Sequence, residues 1–118
     1  MPTVSVIMNC HNGAQYLAEA IDSVYAQTFQ DFEIIFYDNA STDKSVEIAA
    51  GYDDRLKITK NTGALQALGH ARSVATKLAR GQWIAFLDTD DTWFPSKLEA
   101  QLAVLADTDY AMCYAGVE

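Results

Sequence analysis

Residues 83–91 read Trp83-Ile84-Ala85-Phe86-Leu87-Asp88-Thr89-Asp90-Asp91. The apolar run is too short for an ordinary helix and rich in aromatic and branched side chains, the character of a buried strand. It passes directly into a cluster of carboxylates. The same junction occurs twice more. Val4-Ser5-Val6-Ile7-Met8 runs into Asn9-Cys10-His11-Asn12, and the run 32–37 (FEIIFY) into Asp38-Asn39-Ala40-Ser41-Thr42-Asp43. Each apolar run ends in polar side chains suited to holding a ligand.

Amphipathic segments lie between these runs. Residues 16–26 place Leu17, Ile21, Val24 and Tyr25 on one helical face. Residues 41–50 form a second helix with Ser41 or Thr42 as its cap. Residues 56–59 are a weak third strand, and 69–79 a third helix stopped by Gly81. Residues 96–106 form a helix with Ser96 and Glu99 spaced as a capping box, and Pro95 marks its boundary. Residues 110–114 read as a fifth strand. This alternation predicts an α/β fold, a Rossmann-like parallel sheet with helices on both faces. A chain of 118 residues is one domain, 1–118. Trp83, Phe86 and Phe36 fall inside strands and are expected in the core.

Composition narrows the function. Sixteen acidic and eight basic residues give a net charge of −8, with no Lys/Arg cluster, so no nucleic-acid partner is expected. A divalent cation would still let an acidic chain bind a nucleotide. The start, Met1-Pro2-Thr3, lacks a signal-peptide pattern, and no apolar stretch approaches the roughly 18 residues of a membrane span. Cys10 and Cys113 have no metal-ligand spacing and read as free thiols. A cytoplasmic location is expected.

In an open parallel sheet the carboxyl ends of all strands share one edge, and ligands bind where strand order reverses. The three polar clusters therefore converge. In an extended segment residues two apart point the same way, so Asp88 and Asp90 face one ligand. Their mutual repulsion is relieved by a cation, and hard oxygen donors suit Mn²⁺ or Mg²⁺. The competing reading is that these acids only solvate a loop. Asp38 and Asn39 offer an acceptor for the N3–H of a uracil or thymine ring, while Asp43 reads as a helix cap. Arg72 can pair with phosphate or with the acidic loop. Asn9 and His11 border the same crevice, and Trp93 either covers the site or packs.

Taken in order, these segments resemble the family 2 glycosyltransferases. The opening VSVIMNCHNGAQYLAEAIDSVYAQTFQDFEIIFYDNASTD is similar to the family's strand, Tyr-Asn loop, helix, Q-T-x-x-x-x-E and V-D-D-G-S-T-D pattern. NTGALQALGHARSVATKLARGQWIAFLDTDDTW is similar to its N-x-G-x-x-x-A-R-N…F-L-D-x-D-D stretch. The likeness spans nearly the whole chain. It implies the nucleotide-binding half of a GT-A fold and a donor linked to UDP, dTDP or GDP. Asp90 matches the family's metal-binding aspartate, and Asp88 the one that touches ribose or metal. Asn39 falls at the base-reading position, His11 replaces a common Tyr, and Arg72 matches the Arg of A-R-N with Ser73 in place of Asn. The resemblance further implies an inverting enzyme with a glycan or lipid-linked acceptor and a membrane-associated acceptor side; the apolar surface expected at a truncated sheet edge makes a second copy of the chain a candidate partner. The acceptor-binding half and its general base would follow Glu118, so the chain reads as truncated and inactive in transfer by itself.

Two other classes compete. A response-regulator receiver needs acids after its first strand, an Asp after its third and a Lys after its fifth. Met8-Asn9-Cys10, residues 56–60 and Tyr114-Ala115-Gly116 supply none of these. The other is a non-catalytic interaction fragment.

Overall fold

The computed structural model describes residues 2–61 and 63–106. Along them run β1 (Val4–Cys10), α1 (Ala14–Tyr25), β2 (Phe32–Asn39), α2 (Ser45–Ala49), β3 (Leu56–Asn61), α3 (Leu68–Lys77), β4 (Trp83–Phe86) and α4 (Lys97–Ala106). The expected strand at 110–114 lies outside the described residues. The sheet order is β3-β2-β1-β4 with every pairing parallel. The chain steps outward from β1 to β3, returns over the sheet through α3, and adds β4 on the other side of β1. Strand order thus reverses between β1 and β4, where open α/β sheets bind ligands.

Alternation along the strands divides the apolar side chains between two layers. Val4, Val6, Met8 and Cys10 of β1 and Phe32, Ile34 and Phe36 of β2 pack against Leu17, Ile21 and Val24 of α1, Ala49 of α2 and Leu98 of α4. Ile7, Ile35 and Tyr37 point to the other face, against Ala71 and Ala75 of α3. Cover on both faces is why the middles of β1 and β2, residues 6–8 and 34–37, are apolar on both faces.

β4 departs from that pattern. Ile84 and Phe86 are 41% and 49% exposed, so Phe86, expected in the core, is not there. Its register partner is Ile7 of β1, and α3 packs over β1 and β2. Among the described residues β4 is the sheet border on that side, so its α3-facing side chains have a neighbouring strand on one flank only. Trp83 and Ala85 point to the larger core and pack on it.

Two helix starts also differ from expectation. The second helix begins at Ser45, not near 41, and Asp43 serves it: Ser45 N–H donates to Oδ1 at 2.9 Å, while Ala14 N–H, at the start of α1, donates to Oδ2 at 3.1 Å. One carboxylate therefore satisfies orphan donors of two helices. The Ser45 hydroxyl bond, backed by these N–H groups, holds the Asp43 carboxyl below its ordinary value against the opposing effect of burial. At α4, Glu99 accepts from Thr28 Oγ1 at 2.6 Å, and the Leu98 N–H is taken by Oε1 of buried Gln27 at 3.0 Å. The expected Ser96–Glu99 box is replaced by bonds from Gln27 and Thr28, in the segment that follows α1.

The opposite edge of the sheet is locked by Glu33, buried in β2. Its carboxylate accepts from Ser5 Oγ, from Arg80 N–H at 2.6 Å and from Lys57 Nζ at 3.2 Å. Burial alone would raise its pKa, but the bonds from Ser5, Arg80 and Lys57 outweigh it and leave the carboxyl lowered. Gly81 donates its N–H to Ser5 Oγ at 2.7 Å. A Cβ on Gly81 would sit 2.6 Å from that oxygen, 2.7 Å from Ser5 N and 2.8 Å from the Val4 carbonyl carbon. β4 begins where it does because Gly81 lets the chain pass this close to β1.

Candidate functional site

The loops after β1 and β2 interlock at the carboxyl edge. Asn12 and Ala40 both hold positive φ, 53° and 57°, a conformation that asparagine tolerates better than most residues. Asn12 Oδ1 accepts the Thr42 N–H at 2.7 Å, and Asn12 N–H donates to Ser41 Oγ at 2.9 Å. His11 Nδ1 lies 2.8 Å from the Asn39 carbonyl oxygen. That oxygen can only accept, so Nδ1 carries the proton. His11 is thus an exposed rim residue held in one orientation.

Asn9 and Asp38 stand at the ends of β1 and β2. Asn9 Oδ1 and Asp38 Oδ1 are buried without a hydrogen-bond partner, and the other Asp38 oxygen receives only a 3.4 Å contact from Ser41 N–H. An unsatisfied buried acceptor costs about 1–3 kcal/mol and calls for an explanation. A ligand donor is one. Strand alternation sends the two side chains to opposite faces: Asp38 lies in register with Cys10, and Asn9 with Tyr37. They would therefore meet a ligand from two sides of the sheet edge.

Asn39, by contrast, is internally occupied. Its Oδ1 accepts from Gln66 N–H at 3.0 Å and from Asn61 Nδ2 at 3.1 Å, and its Nδ2 donates to Gln66 C=O at 2.9 Å.

After β4, Asp91 N–H donates to Asp88 C=O at 3.1 Å. The segment is a turn, not the extended stretch expected from its sequence. The turn brings in a third carboxylate: ligand oxygens of Asp88, Asp90 and Asp91 all lie within 4.8 Å of one another, and all three residues are exposed. Such a donor set fits Mn²⁺ or Mg²⁺, hard cations that take oxygen ligands and keep open positions for phosphate or water. Asp38 does not belong to this group. Arg72 Nη2 donates to Asp88 Oδ1 at 3.3 Å, and the guanidinium lies 5.3 Å from the Phe86 ring centroid. Arg72 thus meets the acidic loop, and the exposed Phe86 is its platform. Trp93 is packed: its ring joins the main core and its backbone N–H donates to Ser23 Oγ at 3.1 Å.

Three residues that shape this site escape a reading of single motifs. Asn12 ties two loops together, Gln27 holds the segment after the acids, and Asp91 completes the carboxylate group. Gln27 Nε2 donates to Phe94 C=O at 2.7 Å, 67 positions away in sequence. A buried glutamine at a helix end has no periodic signature; only its long-range partners reveal it.

A profile of glycosyl transferase family 2 matches residues 5–118. The chain is 35% identical over 116 residues to the Escherichia coli UDP-Glc:alpha-D-GlcNAc-diphosphoundecaprenol beta-1,3-glucosyltransferase WfgD, covering 98% of this chain and 46% of that protein. Staphylococcus aureus TarS 1-349 in complex with UDP-GlcNAc superposes with a TM-score of 0.84 at 29% identity, over 89% of this chain and 31% of that one. The mannosyltransferase PcManGT of Pyrobaculum calidifontis, in complex with GDP-Man and Mn²⁺, gives 0.81 at 27% identity, over 90% and 33%. The described fold is thus that of GT-A glycosyltransferases. The chain spans 37% to 46% of the length of the curated relatives it matches first. With the profile covering nearly all of its residues, this chain belongs to glycosyl transferase family 2.

Proposed function

We propose that this chain is the donor-binding part of an inverting glycosyltransferase that takes a nucleoside diphosphate sugar together with a divalent cation. The observation that carries the reading is a convergence at one sheet edge. Unsatisfied acceptors end β1 and β2, and three carboxylates within 4.8 Å of one another follow β4. Asp88 and Asp90, joined by Asp91, would hold Mn²⁺ or Mg²⁺. That cation supplies Lewis-acid stabilisation of the departing nucleoside diphosphate. Arg72 adds positive charge beside the same loop, and Asn9, His11 and Asp38 form the wall for base and ribose.

The names of the relatives support a uridine diphosphate donor first and GDP second, and the resemblance in sequence adds dTDP as a candidate. WfgD, by its name, acts on a lipid-diphosphate-linked sugar, which supports a lipid-linked or glycan acceptor and a cytoplasmic site facing a membrane. No helix among the described residues is long and apolar enough to cross one. Relatives of more than twice this length are consistent with an acceptor site and general base outside these residues. The 118-residue chain is accordingly expected to bind donor and not transfer sugar, since transfer needs an oriented, activated acceptor.

Calorimetry with UDP, dTDP and GDP, each with and without Mn²⁺, tests the reading. Cation-dependent binding of one of them is expected. A folded sample that binds none in any combination removes the claim, and acceptor-dependent transfer by this chain alone would place the base within it.

A further inference from the structure

We propose that Asn39 is a positioning residue: its carboxamide clamps the backbone of Gln66 and so sets where α3, with Arg72, begins. The geometry fixes the amide orientation without ambiguity. Gln66 N–H can only donate, so the atom facing it at 3.0 Å is Oδ1; Gln66 C=O can only accept, so the atom facing it at 2.9 Å is Nδ2. Oδ1 has two lone pairs, and Asn61 Nδ2 at 3.1 Å takes the second. The residue is 6% exposed, and with both bonds made its acceptor capacity is spent inside the protein.

The clamp belongs to a network that holds Asn61, Gly63, Ala64 and Gln66. Asn61 Nδ2 also donates to Ala64 C=O at 2.9 Å, Gly63 N–H donates to Asn61 Oδ1 at 3.1 Å, and Tyr37 Oη donates to Gln66 Oε1 at 2.8 Å. Gln66 lies two positions before Leu68, the first residue of α3. On that helix Arg72 reaches Asp88. Asn39 therefore connects the end of β2 to the placement of a cation beside the acidic turn. In this chain an aspartate would lose the bond to the Gln66 carbonyl and set a second oxygen against it with no proton between them.

The link to Gln66 is testable without ligand; the effect on nucleotide affinity rests on the donor-binding reading above. Asn39→Asp and Asn39→Ala are compared with wild type by amide hydrogen exchange and by calorimetry with UDP and Mn²⁺. In both variants exchange at the Gln66 amide should accelerate about tenfold or more, while Ile34 and Phe36 in β2 keep their protection. UDP affinity should fall about tenfold in both. Two results overturn the proposal. One is unchanged Gln66 exchange in a folded variant. The other is UDP affinity kept or improved by Asn39→Asp but lost by Asn39→Ala, the behaviour of a group that accepts from the base. If Asn39→Asp does not fold, Asn39→Ala decides by the same exchange measurement. If wild type binds no nucleotide, the donor reading fails while Gln66 exchange still decides the clamp.

Discussion

Arg72 and Asp88 form an ion pair of 3.3 Å at the carboxyl edge of the sheet, with the Arg72 side chain 40% and that of Asp88 61% exposed. The pair joins α3 to the acidic turn after β4. At such exposure its direct contribution to stability is small, about 0–1 kcal/mol. Its consequence lies in charge placement: a guanidinium occupies one flank of the carboxylates proposed to take a cation.

Arg72→Ala should therefore act in opposite directions on two ligands. Affinity for UDP with Mn²⁺ is expected to fall about tenfold, the scale of a charge-assisted hydrogen bond to phosphate. Affinity for Mn²⁺ alone should rise, by up to about fivefold, because a competing cation is gone. Calorimetric titration of each ligand checks this, and parallel losses for both would contradict the placement.

Asp90→Asn and Asp43→Asn separate a proposed metal ligand from a helix cap. The first should weaken Mn²⁺-dependent UDP binding by about tenfold or more, since even outer partners of a metal site are worth roughly 10–100-fold. The second should lower thermal stability by about 0.5–2 kcal/mol, because Asp43 satisfies N–H groups of both Ser45 and Ala14. Equal affinity losses in two folded variants would show the roles to be assigned wrongly.

Gly81→Ala should destabilise the chain by about 1–3 kcal/mol, the usual cost of forcing atoms into filled space. The added carbon would meet not only Ser5 Oγ but also backbone atoms of Val4 and Ser5, which cannot rotate away. Chemical denaturation measures it; an unchanged midpoint would mean that β4 shifts away without cost.

Glu33 predicts an acid-sensitive contribution to stability. Its folded pKa lies below the ordinary 4.5, so the native state binds the proton less readily than the unfolded chain. The contribution is complete above about pH 4.5 and is lost as pH falls through the lowered folded value. Glu33→Gln should cost about 1–3 kcal/mol at neutral pH and shrink the difference from wild type at low pH. Unfolding curves at a series of pH values read this directly; a difference that grows on acidification would reverse the assignment.

Short-range pattern was enough for the α/β class, the alternation of elements and the carboxyl-edge location of the polar clusters. Continuous apolar runs such as 34–37 mark strands covered on both faces, and helical spacing of Leu17, Ile21 and Val24 marks the face of α1 that is buried. Both follow from backbone periods of two and 3.6 residues, which any local window contains. The candidate carboxylates and Asp43 as a cap were legible for the same reason, since each follows directly from its place beside an element end.

Tertiary structure decided what depends on partners distant in sequence. Phe86 is exposed because β4 borders the described sheet, which no window around 83–87 can reveal. Asp91 joins Asp88 and Asp90 through a turn closed by a backbone hydrogen bond, where alternation in a strand would have turned it away. Asn39, which reads as a ligand acceptor by position, has its lone pairs taken by residues 22 and 27 positions further on. Glu33 holds the opposite edge through Ser5, Lys57 and Arg80, from three separate parts of the chain. A polar side chain's role is set by whether its hydrogen bonds are already satisfied, and here the partners that satisfy them come from remote segments that only the folded chain brings near.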